Sequence, residues 1–149
     1  MPRRAPSSAG WARDAVIETV RGLADALSAE SVSVEELVER IGGRGTAAGD
    51  SIVIEAPALD GVERAGVVRH VHDGPPALVT LHLSLPQPRE ELEAAFGAPR
   101  SIHPDHIGEP VTLLFELDLP DRPFDVALLA TDDQGGSRTL TLRRDVRLG

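Results

Sequence analysis

Hydrophobic and polar residues recur with a helical period in three segments of the chain. Over 11–27 the apolar positions repeat every three or four residues, which predicts an amphipathic helix. A second helix is indicated by a capping box, in which Ser33 precedes Glu36 by three residues, and by Gly42 as a stop signal. A third helix is predicted over 88–96, with proline in its first turn and glycine after its last residue.

The remaining segments are typical of strands, because short apolar runs alternate with polar residues between Gly, Pro and Asp turns. The stretch 44–50 is predicted to be a flexible connection, and the DGPP sequence at 73–76 a hairpin turn. The predicted element order is therefore α, α-β-β-β, α-β-β-β. The six predicted strands cover 51–56, 65–72, 77–85, 111–119, 124–131 and 137–148.

This element order suggests an internal duplication. At a shift of 61 residues the segment 54–85 aligns with 115–146 without a gap, so that Glu55 matches Glu116 and Thr80 matches Thr141. The second and third helices match at a shift of 55. The second copy therefore holds six extra residues between its helix and its first strand, within SIHPDHIGEP.

We predict an α+β fold: a two-layer sandwich in which an N-terminal helix precedes two tandem α-β-β-β repeats. The repeats form a mainly antiparallel six-stranded sheet with the helices on one face. One domain is expected over 1–149. It comprises a flexible arm (1–9), an N-terminal helix (10–30), repeat 1 (31–86) and repeat 2 (87–149).

The predicted topology also leads us to expect the loops 42–51 and 97–110 at one end of the molecule, together with the hairpin tips at Asp73 and Asp132/Asp133. In layout alone, tandem α/β units of this kind resemble the β-lactamase inhibitor proteins and some secretion chaperones. No residue motif is shared with either group, so the resemblance implies no site.

Composition excludes several kinds of chemistry. The 149 residues carry a net charge of -9 and contain no Cys, Lys, Asn or Tyr, so all 15 basic residues are Arg. Without Cys and Lys there is no thiolate nucleophile, no cysteine zinc cluster, no Schiff base and no GxxxxGK phosphate loop. This residue usage is typical of a GC-rich genome, such as those of actinobacteria.

Charge and hydropathy also restrict the partners. The acidic excess disfavours nucleic acids, whose binding needs clustered cations. No apolar stretch reaches the length of a signal peptide or a membrane span, so we expect no membrane association and a cytoplasmic location.

One candidate catalytic cluster lies in the insertion that interrupts the repeat: His103, Asp105, His106 and Glu109. A carboxylate that accepts the proton of one imidazole nitrogen orients that ring as a general base or a metal ligand. An ordinary polar turn around Pro104 explains the same residues, and this second interpretation stays open.

A second candidate set, for binding, comprises His70, His72, Thr80 and His82, which share one sheet face if Val71 pairs with Val79. Imidazoles two residues apart could ligate one metal, but a solvated strand face explains them equally well. We assign no metal site and no cofactor.

The leading functional hypothesis is a cofactor-free binding or regulatory module that engages a protein partner, with a basic protein as one candidate, through its exposed sheet face and loop-rich end. The alternative is a small isomerase, cyclase or hydrolase that uses a His/acid pair of the 101–110 loop on a small molecule. A homo-oligomeric assembly is a third hypothesis.

Overall fold

The computed structural model describes residues 8–29, 31–69, 76–102, 111–117, 124–133 and 136–146. Within these ranges the chain forms three helices and eight strands and is of the α+β class. The elements are α1 (Ser8–Leu27), α2 (Val34–Ile41), β1 (Arg44–Ala48), β2 (Ser51–Glu55), β3 (Val62–Arg69), β4 (Pro76–Gln87), α3 (Arg89–Phe96), β5 (Arg100–Ile102), β6 (Val111–Leu117), β7 (Phe124–Asp133) and β8 (Gly136–Val146).

The local signals for the helices are confirmed. The Ser33 hydroxyl accepts a hydrogen bond from the Glu36 N–H at 3.1 Å, which satisfies one of the free amides in the first turn of α2. Gly42 ends this helix at a φ of 74°, where its N–H donates to the Val38 carbonyl. Helix α1 begins at Ser8, so it includes the last two residues of the predicted flexible arm, 8 and 9.

The eight described strands form one antiparallel sheet in the order β1-β2-β3-β4-β8-β7-β6-β5. Two of them, β1 and β5, were missing from the predicted six. Strand β1 has the sequence RGTAA and exposes every residue, so no apolar alternation marks it. It is instead held by five paired positions along β2. Strand β5 is a three-residue pairing at the other edge of the sheet.

The hydrophobic core lies on one face of the sheet. Leu81 pairs with Leu140 where β4 meets β8, and Leu128 pairs with both Phe115 and Leu142. Buried helix side chains pack on this face within the same cluster: Val16, Val20, Leu23, Ala24, Ala26 and Leu27 of α1, Val34, Leu37 and Ile41 of α2, and Leu92 of α3. We call this side of the sheet the core face.

Arginines and aromatic rings join the helices to the core face. Arg144 of β8 donates to the carbonyl of Ala29, just after α1, at 3.0 Å, and its guanidinium lies 3.5 Å from the centre of the Phe124 ring. Phe96 of α3 packs edge-on against Phe115, with the ring centroids 6.2 Å apart. These contacts join the segment after α1 and helix α3 to the core face of the sheet.

The predicted register of the β3–β4 hairpin is wrong by four residues. Val67, and not Val71, pairs with Val79, and irregularities occur after Val62 and Val68. An error of four residues does not move a side chain to the other face, because side chains alternate with a period of two. Thr80 therefore still lies on the face opposite the core.

The expectation that the loops and hairpin tips collect at one end is also wrong. The central strands β4 and β8 are antiparallel, so the hairpin ends at Arg69 and Pro76 lie at one end of the sheet, and those at Asp133 and Gly136 lie at the other. The β5–β6 connection leaves Ile102 and returns at Val111, which is at the second end.

Candidate functional site

The candidate site is the sheet face opposite the core, which we call the open face. It consists of the strand residues that alternate with the core residues, and the register places them side by side. Its central positions are mostly apolar or small: Val53, Gly66, Val68, Leu78, Thr80, Leu114, Ala127, Leu129 and Thr141.

One row crosses the open face without a charged residue. From β2 to β6 the paired residues are Val53, Gly66, Thr80, Thr141, Leu129 and Leu114. At its middle, where β4 meets β8, the hydroxyl oxygens of Thr80 and Thr141 lie 3.4 Å apart. This contact marks the centre of the open face.

The open face is not covered by the helices of the described chain. The buried residues of all three helices belong to the core cluster on the other side of the sheet. The central side chains of the open face are half-buried, and Ala127 is only 6% exposed without belonging to that cluster. In many antiparallel sheets one face is apolar and the other is polar and solvated. In this sheet the central residues of both faces are mostly apolar or small.

Charged side chains lie around this apolar centre. Glu55 and Arg64 face each other across β2 and β3. At the opposite edge Arg100 and Glu116 form an ion pair at 3.3 Å, with 73% and 66% of their side chains exposed. An exposed pair of this kind contributes little to stability. With Arg44, Arg143, Asp125 and its paired residue Asp145, the described open face carries four arginines and four carboxylates, so its charge is nearly balanced.

The three helices hold more than half of the acidic excess of the chain. The sequences of α1, α2 and α3 contain nine carboxylates and four arginines. These helices lie on the core face. The acidic excess of the helices is therefore separate from the open face, and the basic partner stays a prediction.

The structure describes two of the predicted binding residues, Thr80 and His82. Both are half-buried on the open face, where His82 pairs with Arg64 of β3 and Thr139 of β8. His70 and His72 lie outside the described residues, so the binding role predicted for them stays a prediction.

All four residues of the predicted catalytic cluster, His103, Asp105, His106 and Glu109, also lie outside the described residues. The enzyme hypothesis therefore stays a prediction. In the part of the chain that the structure describes, no group of three or more His, Asp or Glu side chains could hold a metal ion. The described helices also include none long and apolar enough to cross a membrane.

The sequence contains a signal for the open face that alternation alone misses. In the run VALLA of β7, Leu128 belongs to the core and Leu129 to the open face. The run LLF of β6 divides in the same way between Leu113 and Leu114. Continuous apolar runs of this kind are typical of strands buried on both faces.

No family model matches the chain, and neither does any curated protein or solved structure. The assignment of the open face rests on the geometry and chemistry of the chain itself.

Proposed function

We propose that this protein is a binding module that holds a protein partner on its open face. The observation that carries the proposal is the row of apolar and small residues, centred on Thr80 and Thr141, on a sheet face that no described helix covers. Contiguous apolar surface with a polar rim is typical of protein interaction sites.

The breadth of the face favours a macromolecular partner. Eight strands spaced at about 4.8 Å span roughly 35 Å, whereas small ligands are generally enclosed by concave pockets. The polar rim, with Glu55 and Arg64 at one side and Arg100 and Glu116 at the other, could orient a partner without supplying most of the affinity.

The proposal includes a tandem origin for this surface, with the helices forming one layer and the sheet the other. Support comes from the boundaries of the elements: α2 at 34–41 corresponds to α3 at 89–96 at the predicted shift of 55. The sheet order supports it as well. Strands β1 to β4 follow one another from one edge to the centre, β5 to β8 follow one another from the other edge, and β4 pairs with β8. A duplicated unit accounts for a wide face centred on the matched pair Thr80 and Thr141.

Site-specific photocross-linking in cells of the native host tests the proposed function. A photoreactive amino acid replaces Leu129 on the open face or, as the control, Ala94 on the exposed side of α3. We expect a discrete protein adduct from position 129 and none of the same mass from position 94. The absence of an adduct from position 129, and from position 53 on the same row, would contradict the proposal.

A further inference from the structure

We infer that the partner held on the open face is a second copy of this chain, packed face to face in a two-fold symmetric dimer. This inference rests on the proposed function, because it names the occupant of the same surface. It follows from the distribution of apolar and charged groups, from the area of the face and from the position of its centre.

The apolar centre of the open face limits which surface can cover it. An apolar surface is best covered by another apolar surface, because each then loses contact with water. The outward sides of the helices carry exposed charges such as Glu18, Glu35, Glu39 and Arg40, so they offer no such surface. The open face of a second copy does, since its central row is free of charge.

Charge would oppose association of two chains of net charge -9 if that charge were spread evenly. It is not: nine carboxylates and four arginines lie on the helices, whereas the described open face is nearly balanced. Face-to-face packing places the two sheets about 10 Å apart and the helices outside them, so the acidic layers are roughly 30 Å apart. That separation exceeds the Debye length of about 8 Å at physiological ionic strength, so the repulsion is screened.

The area of the open face suits a stable dimer. A sheet about 35 Å wide, with the uncharged central row and one partly charged row on each side of it at a spacing of about 6.7 Å, presents roughly 600–700 Å² on each copy. Two such faces bury about 1,200–1,400 Å² in total, which lies within the range of specific interfaces. A smaller peptide would leave much of this surface uncovered.

The centre of the face provides the sharpest test. In an isologous interface each residue near the two-fold axis meets its own copy or a close neighbour. Thr80 and Thr141 hold the central position of the row, so a charge introduced there faces a like charge across the dimer. Both side chains are half-buried on the face opposite the core cluster, so replacing them removes no core side chain.

Sedimentation equilibrium of the purified full chain measures this association, for the unmodified protein, for Thr141→Arg and for the control Ala94→Arg. Both substitutions make the chain less acidic by one charge, so a general charge effect would favour the dimer in both. We expect twice the chain mass of 15.8 kDa for the unmodified protein and for Ala94→Arg. For Thr141→Arg we expect a dissociation constant raised about 30-fold or more, because like charges are buried together.

Thr80→Arg is measured beside Thr141→Arg, with circular dichroism and thermal unfolding to identify a variant that fails to fold. Loss of the dimer in either folded variant supports the inference. A dimer that both folded variants leave intact overturns it and indicates association elsewhere, such as through the exposed edge strand β1.

A monomer at all concentrations also overturns the inference. In that case the photocross-linking result separates the two proposals. An adduct of position 129 with a different protein retains the proposed function and rejects only the second copy. The absence of any adduct rejects both.

Discussion

Two neighbouring leucines of β7 allow the one-sided core to be tested with the same substitution. Leu128 is fully buried and pairs with Phe115 and Leu142 on the core face. Leu129 is half-buried on the open face, between Leu114 and Thr141. Changing each to alanine removes the same atoms from the same strand, so the difference in stability reports the face and not the residue type.

The expected costs differ severalfold. Leu128→Ala leaves a cavity among side chains that cannot all move to fill it, and such changes cost about 3–4 kcal/mol in well-packed cores. Leu129→Ala exposes no comparable cavity in the monomer, and we expect about 1 kcal/mol or less. For a chain of this length the first loss corresponds to a fall in Tm of about 10 °C.

Urea unfolding, followed by circular dichroism, measures both costs. At low protein concentration the comparison is between monomers. The slope of the unfolding free energy against urea concentration should then be the same for both variants as for the unmodified chain. At high concentration Leu129→Ala should show an additional, concentration-dependent loss, because the inferred dimer buries that side chain. Equal losses in dilute solution would contradict a one-sided core, and a larger loss for Leu129→Ala would place the core on the face that we call open.

Three further predictions concern single residues and the solution conditions. Ser33→Ala removes the hydroxyl that accepts from the Glu36 amide and should cost about 1 kcal/mol, as urea unfolding can measure. Gly136→Ala should destabilise by more than about 1 kcal/mol, since the new Cβ would lie 2.6 Å from the Gln87 carbonyl oxygen at a φ of 120°. The control Gly22→Ala, which meets no atom within 4 Å in α1, should stabilise by up to about 1 kcal/mol, and the opposite order of the two would contradict this. Raising NaCl should change the dimer dissociation constant by less than about threefold, because the open face is nearly balanced in charge, whereas a steep dependence would indicate docking through the acidic helices.

Short-range signals in the sequence predict the helices well. The capping box of α2 depends on atoms three residues apart, so Ser33 and Glu36 determine the start of the helix without help from the rest of the fold. Alternating apolar residues likewise mark most of the strands. The missed strand β1 has no such pattern, because its exposed residues are held by backbone pairing to β2 and not by burial.

Long-range features were harder to predict for a physical reason. A periodic pattern has the same appearance after a shift of four residues, so it cannot choose between Val67 and Val71 as the partner of Val79. The antiparallel contact of β4 with β8 joins segments about sixty residues apart and sends the two hairpins to opposite ends. Of the predicted binding residues, the structure places Thr80 and His82 on the open face, and their binding role stays a prediction. The apolar runs of β6 and β7 signal a second apolar face, but only the register shows which residues form its centre.

Thiol protection provides the most direct measurement of the central claim, that the open face is a protein-binding surface occupied by a second copy. The chain contains no cysteine, so Leu129→Cys and Ala94→Cys each introduce a single thiol. We predict that the labelling rate at position 129 falls steeply as protein concentration rises from about 1 to 100 μM, while the rate at position 94 stays constant. A rate at position 129 that does not depend on protein concentration would contradict the account.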